Sequence, residues 1–403
     1  MPYPAMRKFG PGLLVTAAFI GPGSVATASA AGASFGFVLL WALLFSLIAT
    51  IVLQEMAARL GLVSGDGLSQ ALRTTFKNPL ISRSAVILVV AAIGLGNAAY
   101  EAGNISGAAL GLQSITSLPL WLCAFVIGGL GAALLGTGGY RMLEPILILL
   151  VLVMSAVFLV TMLLIEIDYS AMFSGLLTPS IPEGSALTVV ALIGTTVVPY
   201  NLFLHASLVQ EKWHGVDTRQ AIAESRTDTV ISIGLGGLIT LAVMSTSAVA
   251  FFQGGASFSA SSLATQLEPV LGTAANSFFA FGLLAAGLTS AITAPLAAAY
   301  AVSGAMGWPT HFGDRRFRGV WMLVLLVGTM FAAAGTKPIA AILFAQAANG
   351  LLLPVTAIFL LIIMNRVDLL GDYRNRLVTN LLGGAVVVTV TGLGLFNIAR
   401  LFW

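Results

Sequence analysis

The sequence predicts an all-α membrane protein built as an inverted repeat of five plus five helices, with helices one and six discontinuous and an eleventh helix outside the repeat. Three observations predict it. Of 403 residues, 58% are hydrophobic and only 8% charged, against roughly 25% charged in a soluble domain. Apolar runs of about 20 residues, the length that crosses a hydrocarbon core, recur from end to end. Two of those runs, in corresponding positions of the two halves, are interrupted at mid-depth by proline.

The spans fall at about 11–32, 36–60, 84–111, 117–137, 143–166, 186–211, 227–252, 274–306, 318–335, 338–364 and 378–399. The first five make one repeat (11–166), the next five its inverted partner (186–364), and 378–399 stands apart, all within a single integral domain, 1–403. The connections are too short for a separate soluble domain. The first run lacks a small-residue cleavage site followed by a polar mature start, so it reads as a retained helix. Cytoplasmic loops carry excess Lys and Arg. With the N-terminus cytoplasmic and the C-terminus outside, only Lys337 and Arg400 of the eighteen cations fall outside. The net charge of +3 therefore reflects topology, gives no case for nucleic-acid binding, and fits a multi-pass protein of a bacterial-type inner membrane. The lone Cys123 lies in an apolar run and reads as a small buried residue.

The first span contains "AAFIGPGSVATASAAG", with Gly21, Pro22, Gly23 and Ser24 at its centre; the sixth contains "ALIGTTVVPYNLFLHASLVQ", with Thr195, Val198, Pro199, Tyr200 and Asn201. Proline lacks an N–H and clashes with the preceding turn, so each helix is expected to break there. Such breaks are tolerated only against protein or a water-filled cavity. Paired breaks in matching positions of inverted halves place a transporter's binding site between them.

Ionisable groups at membrane depth are functional candidates. Glu101 leads, with Asn97 and Asn104 making one polar stripe on span three; a carboxyl held partly out of water can exchange protons near neutrality. His205, one turn beyond the second break, could relay protons or serve as a structural hydrogen-bonded histidine. Gln346 and Asn349 polarise span ten, lining a route or joining helices. Asp228 and Glu144 are expected to pair with Arg226 and Arg141 at the interface, and Glu55 with Arg59 at i and i+4. Enzyme signatures are absent. "GLGNAAYEAG" follows no strand, so it is no dinucleotide loop. No Walker A sequence occurs, and three histidines with one cysteine offer no zinc constellation. No cofactor is expected.

"FGFVLLWALLFSLIATIVLQEMAARLGLVSG", "GYRMLEPILILLVLVMSAVF", "VVPYNLFLHASLVQ" and "AAGLTSAITAPLAAAYAVSGAMGW" resemble the second, fifth, sixth and eighth helices of the Nramp family of proton-coupled divalent-metal transporters. The resemblance implies that family's LeuT-like fold and a proton as coupling ion. It also implies a third-helix proton route, where Glu101 matches an aspartate and Asn104 replaces a glutamate, and a retained tenth-helix glutamine, Gln346. A family carbonyl ligand falls near Thr195.

The departures lie at the ligands. The family's Asp-Pro-Gly-Asn is here Gly21-Pro22-Gly23-Ser24, and its Met-Pro-His-Asn is Val198-Pro199-Tyr200-Asn201. Without the aspartate and the methionine, a dehydrated transition-metal site loses its anionic and soft donors. Two substrate readings remain: a largely hydrated divalent ion of the Mg or Mn type, or a small organic solute such as a carboxylate or amino acid met by N–H groups at the broken ends. A non-transporting sensor on the same fold is a third reading.

Overall fold

The computed structural model describes residues 10–12, 16, 20–65, 67–75, 78–137, 140–255, 257–335 and 337–399, the side chains of 140–145, 397 and 398 excepted. Residues 13–15 and 17–19 of the expected first span, and the side chains of the expected Arg141–Glu144 pair, lie outside the described residues.

The chain is helical, with no strand among the described residues. In order the helices are α1 Pro22–Phe35, α2 Leu40–Ser64, α3 Leu68–Thr75, α4 Pro79–Thr116, α5 Leu120–Thr137, α6 Tyr140–Leu164, α7 Tyr169–Leu177, α8 Ala186–Thr196, α9 Pro199–Lys212, α10 Thr218–Ser247, α11 Ala275–Met306, α12 Arg315–Ala334, α13 Pro338–Met364 and α14 Leu377–Ala399. Counting α8 with α9 as one crossing, ten segments among the described residues are long and apolar enough to span a membrane. They coincide with expected spans two to eleven, and α1 is the C-terminal part of span one. Short helices that the hydropathy pattern did not separate, α3 and α7, sit between spans.

Helix starts follow from the local chemistry. Proline occupies the first turn of α1, α4, α9 and α13, where its missing N–H costs nothing and its fixed φ suits the helix. Asn78, Asp217 and Asp314 cap α4, α10 and α12 through side-chain oxygens that accept first-turn N–H groups, satisfying donors that a helix leaves orphaned.

Helix α1 packs chiefly on α10, with α8, α13 and α4 around it and α11 touching it at the break. Small residues let these backbones approach, the usual basis of helix association in lipid. Pro22 sits where a side chain on Gly107 of α4 would begin, and Ala108 presses on Gly287 of α11.

At one end of the bundle the ion pairs differ from expectation. Glu55 does pair with Arg59, Nη2 to Oε2 at 3.0 Å. Arg226, however, reaches Glu55 at 2.7 Å instead of Asp228, while Asp228 accepts the N–H of Gly12 at 2.7 Å. Asp228 thus serves the segment leading to the first break, a use that linear spacing to Arg226 concealed. Cys123 is buried in an apolar cluster, as expected.

Candidate functional site at two facing helix breaks

The first break is the start of α1. Gly21 is its N-cap with an extended backbone, φ −113° and ψ −176°, a conformation open to any residue. The second break is a two-residue gap: α8 ends at Thr196, Val197 and Val198 are non-helical, and α9 starts at Pro199. Because Pro199 has no N–H, the carbonyl of Thr195 four residues earlier loses its helical donor. Each break also leaves first-turn N–H groups of the following helix unpaired within that helix. Carbonyl and amide poles therefore meet at one depth.

The breaks touch. A 2.8 Å hydrogen bond joins Ser24 Oγ to Thr195 Oγ1. Both residues are buried, as are Gly21, Gly23, Val198, Tyr200, Asn201, Asn104 and Gln346, so the site is closed to solvent. Gln346 of α13 stands directly over Gly23, where a side chain on residue 23 would begin. Both polar atoms of Gln346 and both of Asn201 are buried without a partner. Asn104 of α4 directs Oδ1 toward Gly21, 3.9 Å from where a Cβ would stand, and that oxygen is also unpartnered. Buried polar groups normally find partners. An accumulation of unsatisfied amides at two facing helix breaks is what a polar ligand or water would complete.

Glu101 joins this group at one remove. Its Oε2 accepts from Asn104 Nδ2 at 3.3 Å, its Oε1 has no partner, and its side chain lies against Gly328 of α12. Asn97 bonds back to its own helix at Ile93 O, 2.9 Å, and its helix neighbour Gly96 faces Asn349 Oδ1. All three members of the expected polar stripe, Asn97, Glu101 and Asn104, are buried, and of the two asparagines only Asn104 is seen to bond Glu101.

Tyr200, at the start of α9, packs edge to face on Tyr100, with ring centroids 5.6 Å apart. His205 is held apart from Glu101. Its Nδ1 pairs with Gln54 of α2 at 2.9 Å, and its Nε2 is unpartnered. Ser290 of α11 is the residue that sequence reasoning missed: its Oγ lies 2.8 Å from where a Cβ on Gly21 would stand. Its only sequence signal is one hydroxyl between those of Thr289 and Thr293 in an alanine-rich helix, indistinguishable from an ordinary helix-packing serine.

On one side of the site, Ser29 of α1 and Gln266 exchange hydrogen bonds at 3.0 and 3.3 Å. Thr246 joins at 3.3 Å, and Ser247 bonds Ser29 O at 2.6 Å.

An all-helical membrane protein with two interrupted helices meeting at a buried polar site defines the LeuT-like class, and comparison with known proteins agrees. The model of the family described as natural resistance-associated macrophage protein-like matches residues 12–400, and the chain belongs to this family, Nramp. A divalent metal cation transporter MntH of Burkholderia ambifaria is 29% identical, covering 98% of this chain and 88% of that protein. The crystal structure of the Eremococcus coleocola manganese transporter in complex with an aromatic bis-isothiourea substituted compound superposes with a TM-score of 0.73 at 22% identity, covering 97% and 86% of the two chains. Mhp1, a nucleobase-cation-symport-1 family transporter, gives 0.57 at 14% identity over 97% and 92%. These structures share the fold: a multi-pass integral membrane protein with discontinuous first and sixth helices.

Proposed function

We propose that the protein is a secondary transporter of a divalent metal ion of the Mg or Mn type, bound with much of its water at the two breaks. The observation that carries this is the meeting of the breaks through Ser24 and Thr195 beside the unpartnered amides of Asn104, Asn201 and Gln346, in a chain of the same family as divalent metal cation transporters. Among the described residues no group of three His, Cys, Asp or Glu could hold a bare metal. Neutral oxygens with retained water suit a hard ion that dehydrates reluctantly.

In this reading the Thr195 carbonyl, Ser24, Asn201 and Gln346 contact the ion or its water, with Gly21, Gly23, Val198 and Tyr200 shaping the cavity. Glu101 is the proton-linked carboxyl. An unpaired buried charge is costly, so this group has to take up a proton or sense the cation through Asn104. His205, tied to Gln54, is a secondary relay. The two repeats, 11–166 and 186–364, rock about the site in alternating access. The Ser29–Gln266 cluster closes the outer path and the Gly12–Asp228 bond the inner one, in a bacterial inner membrane with the N-terminus inside.

A second reading has its own observation. Gly21 brings no carboxylate, and α1 and α9 both start at the site with exposed N–H groups, which suit the carboxylate of a small organic solute.

Thermal-shift screening of the purified protein against divalent ions and a panel of carboxylates and amino acids separates the two, since a ligand of the folded state raises stability by mass action. Stabilisation by Mg²⁺ or Mn²⁺ is expected; a shift with one organic solute and none with any divalent ion would sink the metal reading. In proteoliposomes Glu101→Gln should abolish proton-linked flux, and unchanged coupling would remove Glu101 from the mechanism.

A further inference from the structure

The glycine at position 21 needs a reason, and its backbone does not supply one. With φ at −113° the conformation suits any residue, so what excludes a side chain is space. That space is taken by Ser290, whose Oγ would stand 2.8 Å from the added Cβ, with Asn104 Oδ1 next at 3.9 Å. A hydroxyl oxygen from α11 and an amide oxygen from α4 therefore converge on the point to which a residue-21 side chain would grow.

Both residues are fully enclosed, with Ser290 1% and Asn104 0% exposed, and the Asn104 oxygen has no hydrogen-bond partner. Asn104 in turn donates to Glu101 Oε2 on the same helix, and Gln346 of α13 stands over Gly23 two residues further on. Ser290 is held in place because α11 is pressed on α4 through Gly287 and Ala108. Its position follows from helix packing.

We propose that Ser290 is a substrate-contacting residue, its hydroxyl oxygen and the Asn104 amide oxygen together facing the permeating divalent cation at the first break in place of any side chain on residue 21. Two neutral oxygens attract the ion more weakly than one carboxylate and leave it its water. The pair thereby sets the site toward hard, hydrated ions and away from soft ones. This rests on the divalent-cation reading above.

The test uses the full chain in proteoliposomes, with Mg²⁺ and Mn²⁺ uptake read separately for the wild type, Ser290→Ala, Ser290→Thr, Gly21→Ala and the Gly21→Ala/Ser290→Ala pair. Ser290→Ala should raise the KM for uptake about tenfold, the scale of one lost polar contact, at little changed kcat. Ser290→Thr, which keeps the hydroxyl, should stay close to wild type. Gly21→Ala forces the Ser290 hydroxyl aside, so it should raise KM similarly, and the pair should show no further rise, since the two changes act on one contact. If Ser290→Ala lowers kcat or thermal stability while KM stays put, or if the Gly21→Ala and Ser290→Ala effects simply multiply, Ser290 is a packing residue and the proposal falls, with the transport reading intact. If the wild type itself takes up neither ion, both fall together.

Discussion

At the first break the backbone is bare, and its polar surroundings come largely from other helices: Asn104 from α4, Ser290 from α11 and Gln346 from α13. At the second break the chain brings its own groups, Thr195 and Asn201, while Tyr200 turns its ring onto Tyr100. The difference teaches that where a broken helix offers bare backbone its polar surroundings are set by its neighbours: at residues 21 and 23, which carry no side chains, Ser290 and Gln346 stand where one would begin, with Asn104 close by. Where side chains remain, the helix still supplies its own donors.

That comparison is tested most severely at Gly107, on whose open face Pro22 is seated. Gly107→Leu should wedge α1 away from α4 and destabilise the protein by about 3 kcal/mol, the upper range for overpacking. Denaturation in detergent measures it, and a change under about 0.5 kcal/mol would mean the first break does not depend on α4.

Asn201→Ala removes both unpartnered amide atoms from the second break and should cut uptake efficiency about tenfold or more with little loss of stability. A drop in melting temperature with normal uptake would instead make Asn201 structural.

The link between the breaks is a smaller quantity. Ser24→Ala and Thr195→Val should each cost about 0.5–1.5 kcal/mol. In a double-mutant cycle the pair should cost clearly less than the sum, because each single change already breaks the same hydrogen bond. Strict additivity would mean that the hydroxyls do not couple the breaks.

The smallest effect belongs to a cap remote from both. Asp314, half-buried ahead of α12, is held below the usual aspartate range by the hydrogen bonds its carboxylate accepts from the N–H groups of Phe317 and Arg316. A carboxylate with a depressed folded pKa contributes stability above its unfolded value and loses it as pH falls through the folded one. Asp314→Ala should therefore lower the melting temperature slightly at neutral pH, and the gap should close in acid below the aspartate range. A gap independent of pH would mean that the charge of the cap contributes nothing.

Much of this architecture is legible in the residue pattern, for identifiable reasons. Hydrophobic runs must match the membrane, so spans two to eleven stand where hydropathy puts them. Proline has one backbone consequence wherever it occurs, so both breaks can be read from Pro22 and Pro199. The local pair of Glu55 and Arg59 also holds, because i and i+4 lie on one helix face. The pairings across helices are where reading along the chain fails. Asp228 meets Gly12, far away in sequence, and Arg226 leaves its neighbour for Glu55. Tyr200 lies at the break in sequence, and its buried ring packs on Tyr100, a hundred residues away along the chain.

By itself, then, the sequence determined that the chain is a broken-helix membrane protein and where it breaks, because period, length and proline act locally. Only the tertiary structure decided what fills the first break. Gly21 reads in the sequence as a missing carboxylate. In three dimensions it is a clearance for Ser290 and Asn104, a relation between three helices that no spacing along one of them can encode.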